Sequence, residues 1–389
     1  MFSSRLSGTG SLNQLALALE RKKREGASLL DLTESNPTHA GFPSDADAIT
    51  ALLADRRAVS YDPDPAGLPL AREAVSEYYR SRELAAPADR ILLTASTSEA
   101  YAFLFKLLCD PGDEVLVPRP SYPLFEFLAQ LDSVRTIHYP LAWHNRWEID
   151  FEAMAAAATE RTKAVVVVHP NNPTGTFLKS AEAERLGAFC RERNLALISD
   201  EVFADYSLSP DARRLDSALH IPDALTFTLS GLSKIVGLPQ MKVSWIVVGG
   251  PDRLRIEAWR RLEFIADTYL SVNTPVQYAL PGLLALRAPI QHRIMTRVRS
   301  NLHCLDWRVS RDSPFRVRRP EGGWYAVVEV PRVRSEDEWV LHLLNERNVL
   351  VQPGYFYDFE REAFLVLSLL TPGDTFREGV DRIFAPRAS

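Results

Sequence analysis

Ala164-Val165-Val166-Val167-Val168-His169-Pro170-Asn171-Asn172-Pro173-Thr174-Gly175 joins a run of β-branched residues to a turn rich in Pro, Asn and Gly. Four consecutive valines leave no polar face, the pattern of a strand covered by helices on both sides. The turn ends the strand and fixes an Asn side chain at the sheet edge. Outward from it, short apolar runs recur at 91–94, 114–117, 135–139, 195–199, 224–229 and 243–248, separated by segments of helical period such as 99–108 and 181–193. Together with 164–168 they predict an α/β fold whose large domain holds a mostly parallel, seven-stranded sheet.

Past residue 290 an amphipathic stretch leads to Glu321-Gly322-Gly323-Trp324-Tyr325, a helical segment near 335–347 and a last strand and helix. A chain of 389 residues is longer than one core usually serves, so we expect a large domain at 46–285 and a smaller α+β domain at 286–389. Residues 1–45 hold one predicted helix, over 12–25, and a Pro/Gly-punctuated loop expected to pack on the small domain.

Hydrophobic residues are 46% and charged residues 24%, the balance of a globular chain rather than a disordered one. A net charge of -5 with scattered arginines gives no footprint for nucleic acid. Cys109, Cys190 and Cys304 are odd in number and far apart, which fits reduced thiols in a cytoplasmic protein. Neither a signal-like start nor an apolar run near the roughly 18 residues that span a bilayer is present, so no membrane partner is expected. His-Glu-x-x-His, Cys-x-x-Cys and Gly-x-Ser-x-Gly patterns are absent, which argues against a metal hydrolase or a serine hydrolase.

Open α/β sheets bind ligands at the carboxyl ends of their strands. Four turns there carry usable chemistry. Thr94-Ala95-Ser96-Thr97-Ser98-Glu99 runs from a strand into a helix, whose first N–H groups and dipole attract phosphate; by itself such a stretch is more often a Ser/Thr helix cap with Glu99 in the first turn. The Asn171-Asn172 turn is a site or a structural turn. Asp200 puts a carboxylate at the end of an apolar strand, where it needs a cation or a protonated ring nitrogen, or caps a helix. Lys234, in Ser230-Gly231-Leu232-Ser233-Lys234, stands among small residues, where desolvation lowers an amine's pKa and makes it a nucleophile toward an aldehyde.

In order and spacing, Asn172, Asp200 and Lys234 resemble the class I/II aminotransferases of the fold-type I pyridoxal-phosphate (PLP) enzymes, aspartate aminotransferase-like, over nearly the whole chain. The resemblance implies that Lys234 carries PLP as a Schiff base and then moves the substrate α-proton, and that Asp200 holds the pyridinium proton. It implies further that Asn172 bonds the ring oxygen, Tyr122 stacks on the ring, Ser96, Thr97, Ser98 and Lys242 surround the phosphate, and Ser230 and Ser233 stand near the cofactor. Tyr61 and the segment 268–277, with Ser271 and Asn273, match interface segments of a homodimer with shared active sites. The implied activity is transfer of an amino group from an amine or amino acid to a keto acid by ping-pong chemistry.

Three departures stand out. Phe203 occupies the place of a Tyr that donates to the ring oxygen, and Gly231 that of a Ser. Val366 occupies the place of the Arg that grips the substrate carboxylate. Either other donors grip it, with Asn36 and His39 as candidates, or the amine lacks a carboxylate there; Trp324, Tyr325, Tyr355 and Tyr357 line an apolar pocket or pack a core. A lyase, decarboxylase or oxidase on the same scaffold is the alternative, and a PLP-sensing regulatory domain a third reading.

Overall fold

The computed structural model describes residues 2–6, 13–42, 45–309 and 313–385. Its main sheet is built from β1 (Ile91–Thr94), β2 (Glu114–Arg119), β3 (Arg135–Trp143), β4 (Trp147–Ile149), β5 (Thr162–Val168), β6 (Ala196–Asp200), β7 (Thr226–Gly231) and β8 (Ser244–Gly249). They lie in the order β1-β8-β7-β6-β5-β2-β3-β4. Neighbours from β7 through β3 are parallel, β8 is antiparallel to both β1 and β7, and β4 folds back antiparallel on β3. The sheet thus has eight strands, one more than the sequence predicts. The extra strand is a three-residue edge piece reached through Asn145 at φ 64°, too short for an alternation pattern to register.

Two antiparallel reversals restore direction, so β1 and β7 point the same way as β2, β5 and β6. The carboxyl ends of these five strands therefore share one edge. Val165, Val166 and Val167 are buried, with alternate members facing two different cores, as helices on both faces require.

The second sheet runs β9 (Arg316–Arg318), β10 (Tyr325–Glu329), β12 (Phe364–Ser368) and β11 (Gln352–Pro353), all antiparallel. Glu336–Arg347 opens with a capping box, the Ser335 side chain taking the Glu338 N–H and the Glu338 side chain the Ser335 N–H. The N-terminal helix is Gln14–Arg24; Leu12, at the predicted start, lies outside the described residues. Leu30–Asp31 pairs in parallel with Val349–Leu350, and Lys22 donates to Asn348, so residues 22–31 rest on residues near 350, whereas Arg5 donates to Leu131 O in the large domain and so departs from the expected packing. No helix among the described residues is long and apolar enough to cross a membrane.

Candidate active site

A cavity of about 1240 Å³, open mouth included, lies along the shared carboxyl edge and reaches the second sheet. Thr97 and Ser98 enter it after β1, Tyr122 after β2, Asn172 after β5, Asp200 from the end of β6, and Ser233 and Lys234 after β7. Residues scattered over more than 130 positions thus meet because strand ends are neighbours.

Ser96 caps the helix Thr97–Leu108, its Oγ accepting the Glu99 N–H at 3.1 Å, while Glu99 Oε2 accepts the Ala95 N–H at 2.7 Å and the Ser271 hydroxyl at 2.6 Å. That leaves Thr97 and Ser98 at the first turn of a 12-residue helix, where backbone N–H groups lack intrahelical acceptors and attract an anion.

Asn171 fastens the neighbouring turn. Its Nδ2 donates to Pro120 O at 3.1 Å and Thr174 Oγ1 at 2.9 Å, and its Oδ1 accepts from Ser121 at 3.2 Å. The Tyr122 turn is thereby tied to the Asn172 turn. Asn172 Oδ1 is buried on the cavity wall without a partner. Such an atom costs free energy unless something in the cavity bonds it.

Asp200 is held by the Val202 N–H at 3.2 Å and the Tyr101 hydroxyl at 3.3 Å. Burial pushes its carboxyl up to about 6, against the downward pull of these donors and of Lys234. Burial likewise lowers the Lys234 amine to about 8, while Asp200 draws it back up. The Lys234 nitrogen lies 5.3 Å from the centre of the Phe203 ring, and Tyr206 donates to the Lys234 carbonyl at 2.6 Å, fixing the backbone beneath it. Phe203 has no hydroxyl to offer a ligand.

Other expected residues fall elsewhere. Lys242 is exposed, ends a 3-10 turn at φ 50° and does not line the cavity. The Ser230 hydroxyl is buried without a partner and also off the wall. Asn36 spends its Oδ1 on Thr38 N and Oγ1, His39 faces Glu34 at 3.8 Å, and Ser35 reaches the cavity instead. Tyr61 is 79% exposed and lines a separate cleft with Ser271, Thr274 and Gln277. Trp324 is buried, 5.1 Å from the Phe203 ring; Tyr325 and Tyr357 line the cavity, and Tyr355 does not. Val366 is fully buried within β12. Sequence reasoning missed Tyr101, Gln352 and Ser35. Tyr101 alone left a trace, four residues after Thr97 and so on the same side of its helix.

An Asn amide with an unpartnered oxygen, a half-buried Asp, a desolvated Lys and a helix N-terminus around one cavity suit a phosphorylated aromatic aldehyde. The family model for aminotransferase class I and II matches residues 27–383. The chain belongs to the class I and II aminotransferases. It is 28% identical over 352 residues to the glutamate-pyruvate aminotransferase AlaA of Haemophilus influenzae, covering 89% of this chain and 86% of that one. To the alanine aminotransferase of Mycobacterium tuberculosis it is 28% identical over 389 residues, covering 96% and 88%. Its fold matches the alanine aminotransferase structure of Pyrococcus furiosus with a TM-score of 0.88 at 24% identity, covering 99% and 98%. An aspartate aminotransferase from Thermotoga maritima superposes with a TM-score of 0.84 at 22% identity, over 98% of this chain and 99% of that one. As a member of this aminotransferase class the protein is a PLP-dependent enzyme of fold type I, acting on amino acids and keto acids.

Proposed function

We propose that the cavity at the carboxyl edge of the sheet is the aminotransferase active site, with Lys234 as the residue that carries the cofactor and then moves the substrate proton. The observation that carries this is the placement of Lys234: half-buried on the short helix Leu232–Ile235 that follows β7, in one cavity with Asp200 and Asn172. An amine with a pKa near 8 is about one-tenth uncharged at pH 7, enough to attack a carbonyl and later to take a proton.

Asp200 pairs with the ring nitrogen, whose positive charge would bring its carboxyl back below 6. Asn172 meets the ring oxygen, Tyr122 covers the ring, and Thr97, Ser98 and Ser233 hold the phosphate. When bound, PLP supplies an electron sink for the carbon from which the proton leaves. Tyr101 keeps the Asp200 carboxylate turned toward the ring.

The same reading makes the protein a homodimer. Tyr61 and Leu270 border one cleft, Tyr269 lies 5.1 Å from the ring of Phe103 in its wall, and Phe264 is 76% exposed on the same helix as Tyr269. Exposed aromatic side chains gathered this way are suited to a second copy. Division at 46–285 and 286–389 is supported by the eight-stranded and four-stranded sheets, which fall on either side of residue 286.

Borohydride reduction of the PLP-loaded protein followed by peptide mass analysis tests the assignment. A phosphopyridoxyl mass on the peptide containing Lys234 is expected; a label on Lys242, or none, overturns it.

A further inference from the structure

Val366 leaves open what holds the substrate's carboxylate. In the second sheet Val366 faces Gln352 on one side and Val327 on the other, and Tyr325 faces Ser368 two residues on. Residues directly opposite, and those two apart, share one face of a sheet. Val366 therefore lies on the face that Tyr325 and Gln352 turn to the cavity, and yet it is fully buried. Of this group, the side chains that reach the cavity are Tyr325 and Gln352.

Gln352 is also oriented. The Tyr357 hydroxyl donates to its Oε1, which leaves the two N–H groups of Nε2 as the free end of the amide. Tyr357 stays protonated, because burial raises its hydroxyl far above neutral pH. Among the residues lining the cavity the charged side chains are Lys234 and Asp200, both committed to the cofactor end. Gln352, Tyr325, Tyr357 and Ser35 supply neutral polar groups, whereas Leu124, Phe125, Leu128 and Phe356 supply apolar surface.

We infer that Gln352 is the substrate anchor, its amide N–H groups holding the α-carboxylate in place of a guanidinium, and that the site takes amino acids with apolar or aromatic side chains. This inference rests on the cavity being the active site. A single charge-assisted hydrogen bond from an amide suffices for one carboxylate, whereas a second carboxylate finds no uncommitted cation among the described residues of this chain that line the cavity and must lose its water against Leu124, Phe125 and Phe356.

The experiment compares wild type, Gln352→Glu and Gln352→Leu in single half-reactions with leucine, phenylalanine, aspartate, glutamate and phenylethylamine, the last having no carboxylate. For wild type, kcat/KM for leucine and phenylalanine should exceed that for aspartate and glutamate at least tenfold. Gln352→Glu, which has nearly the same shape, should raise KM for phenylalanine tenfold or more with little change in kcat and leave phenylethylamine unaffected. Gln352→Leu should do the same more weakly. Equal turnover of aspartate or glutamate, no turnover of leucine and phenylalanine, or an equal effect of the variants on phenylethylamine overturns the inference. Borohydride trapping on the same samples separates the two levels. An adduct on Lys234 with lost discrimination sinks the role of Gln352 alone, and no adduct in wild type sinks the active-site assignment beneath it.

Discussion

The Lys234 side-chain nitrogen lies 4.9 Å from the centre of the Trp324 ring. Trp324 directly precedes β10 of the second sheet and is fully buried, so a residue remote in sequence excludes water from Lys234. Neutral amine, the form that attacks a carbonyl, exists at pH 7 because of that exclusion.

Replacing Trp324 by Ala should let water in and move the Lys234 pKa upward from about 8 by roughly one unit, cutting the neutral fraction at pH 7 about tenfold. Trp324→Phe should keep most of the shift. The pH dependence of PLP capture by the apo-protein, followed by absorbance, measures it; an unchanged midpoint in Trp324→Ala would mean that other groups set the desolvation.

Asp200 behaves oppositely in the apo-protein. Its folded pKa, about 6, lies above the unfolded value of 3.8, so the unfolded chain loses this proton first as pH rises. Its contribution to stability is complete below about pH 4 and is lost as pH climbs through 6, leaving a deficit of about 3 kcal/mol at pH 7. Asp200→Asn should therefore raise the apo-protein Tm by about 2 to 4 °C at pH 7, with no difference at pH 4, while transamination is lost. A lower Tm at pH 7 contradicts the argument.

Gly175 ends the Asn171-Asn172 turn at φ 70°, and a Cβ there would meet Gly322 O and the Pro320 Cβ, each at 2.5 Å. Gly175→Ala should cost more than about 1 kcal/mol and weaken PLP binding by displacing Asn172. Gly26→Ala, at φ 68° with nothing within 4 Å, isolates the backbone strain. Denaturant midpoints of the two variants should differ clearly, Gly175→Ala being the less stable; equal losses would show that the Gly322 contact does not matter.

If Tyr61 serves the partner's site, mixing Lys234→Ala with Tyr61→Phe subunits should restore one complete site per mixed dimer. Activity that never exceeds that of the two parents would place Tyr61 outside the neighbouring site.

The strand ends were readable because their side chains follow from local order: an apolar run, a stop, then Asn172, Asp200 or Lys234. Seven of eight main-sheet strands appear in the hydrophobic pattern, and the missing one is the three-residue Trp147–Ile149. Gln352 was invisible for the same reason, since its strand is two residues long and gains meaning only from lying opposite Val366. Lys242 shows what spacing leaves out. Its spacing from Lys234 is that of a phosphate ligand, but the 3-10 turn Pro239–Met241 places it at φ 50° with its side chain in solvent. Ser35 and Asn36 are adjacent, and which of them enters the cavity depends on Asn36 closing a turn with Thr38, a choice made by two hydrogen bonds.

The parallel pairing of Leu30–Asp31 with Val349–Leu350 sets an order of events on the ribosome. Leu30 is made more than 300 residues before Val349. At about 5 to 20 residues per second, the N-terminal segment waits at least about 15 seconds for its partner, with the main sheet free to form in the interval. Fully buried Leu32, which donates its N–H to Leu350, spends that time in water or in the care of a chaperone. A chain released before residue 350 should therefore expose Leu30 to Leu32 to proteases even when the main sheet has already closed.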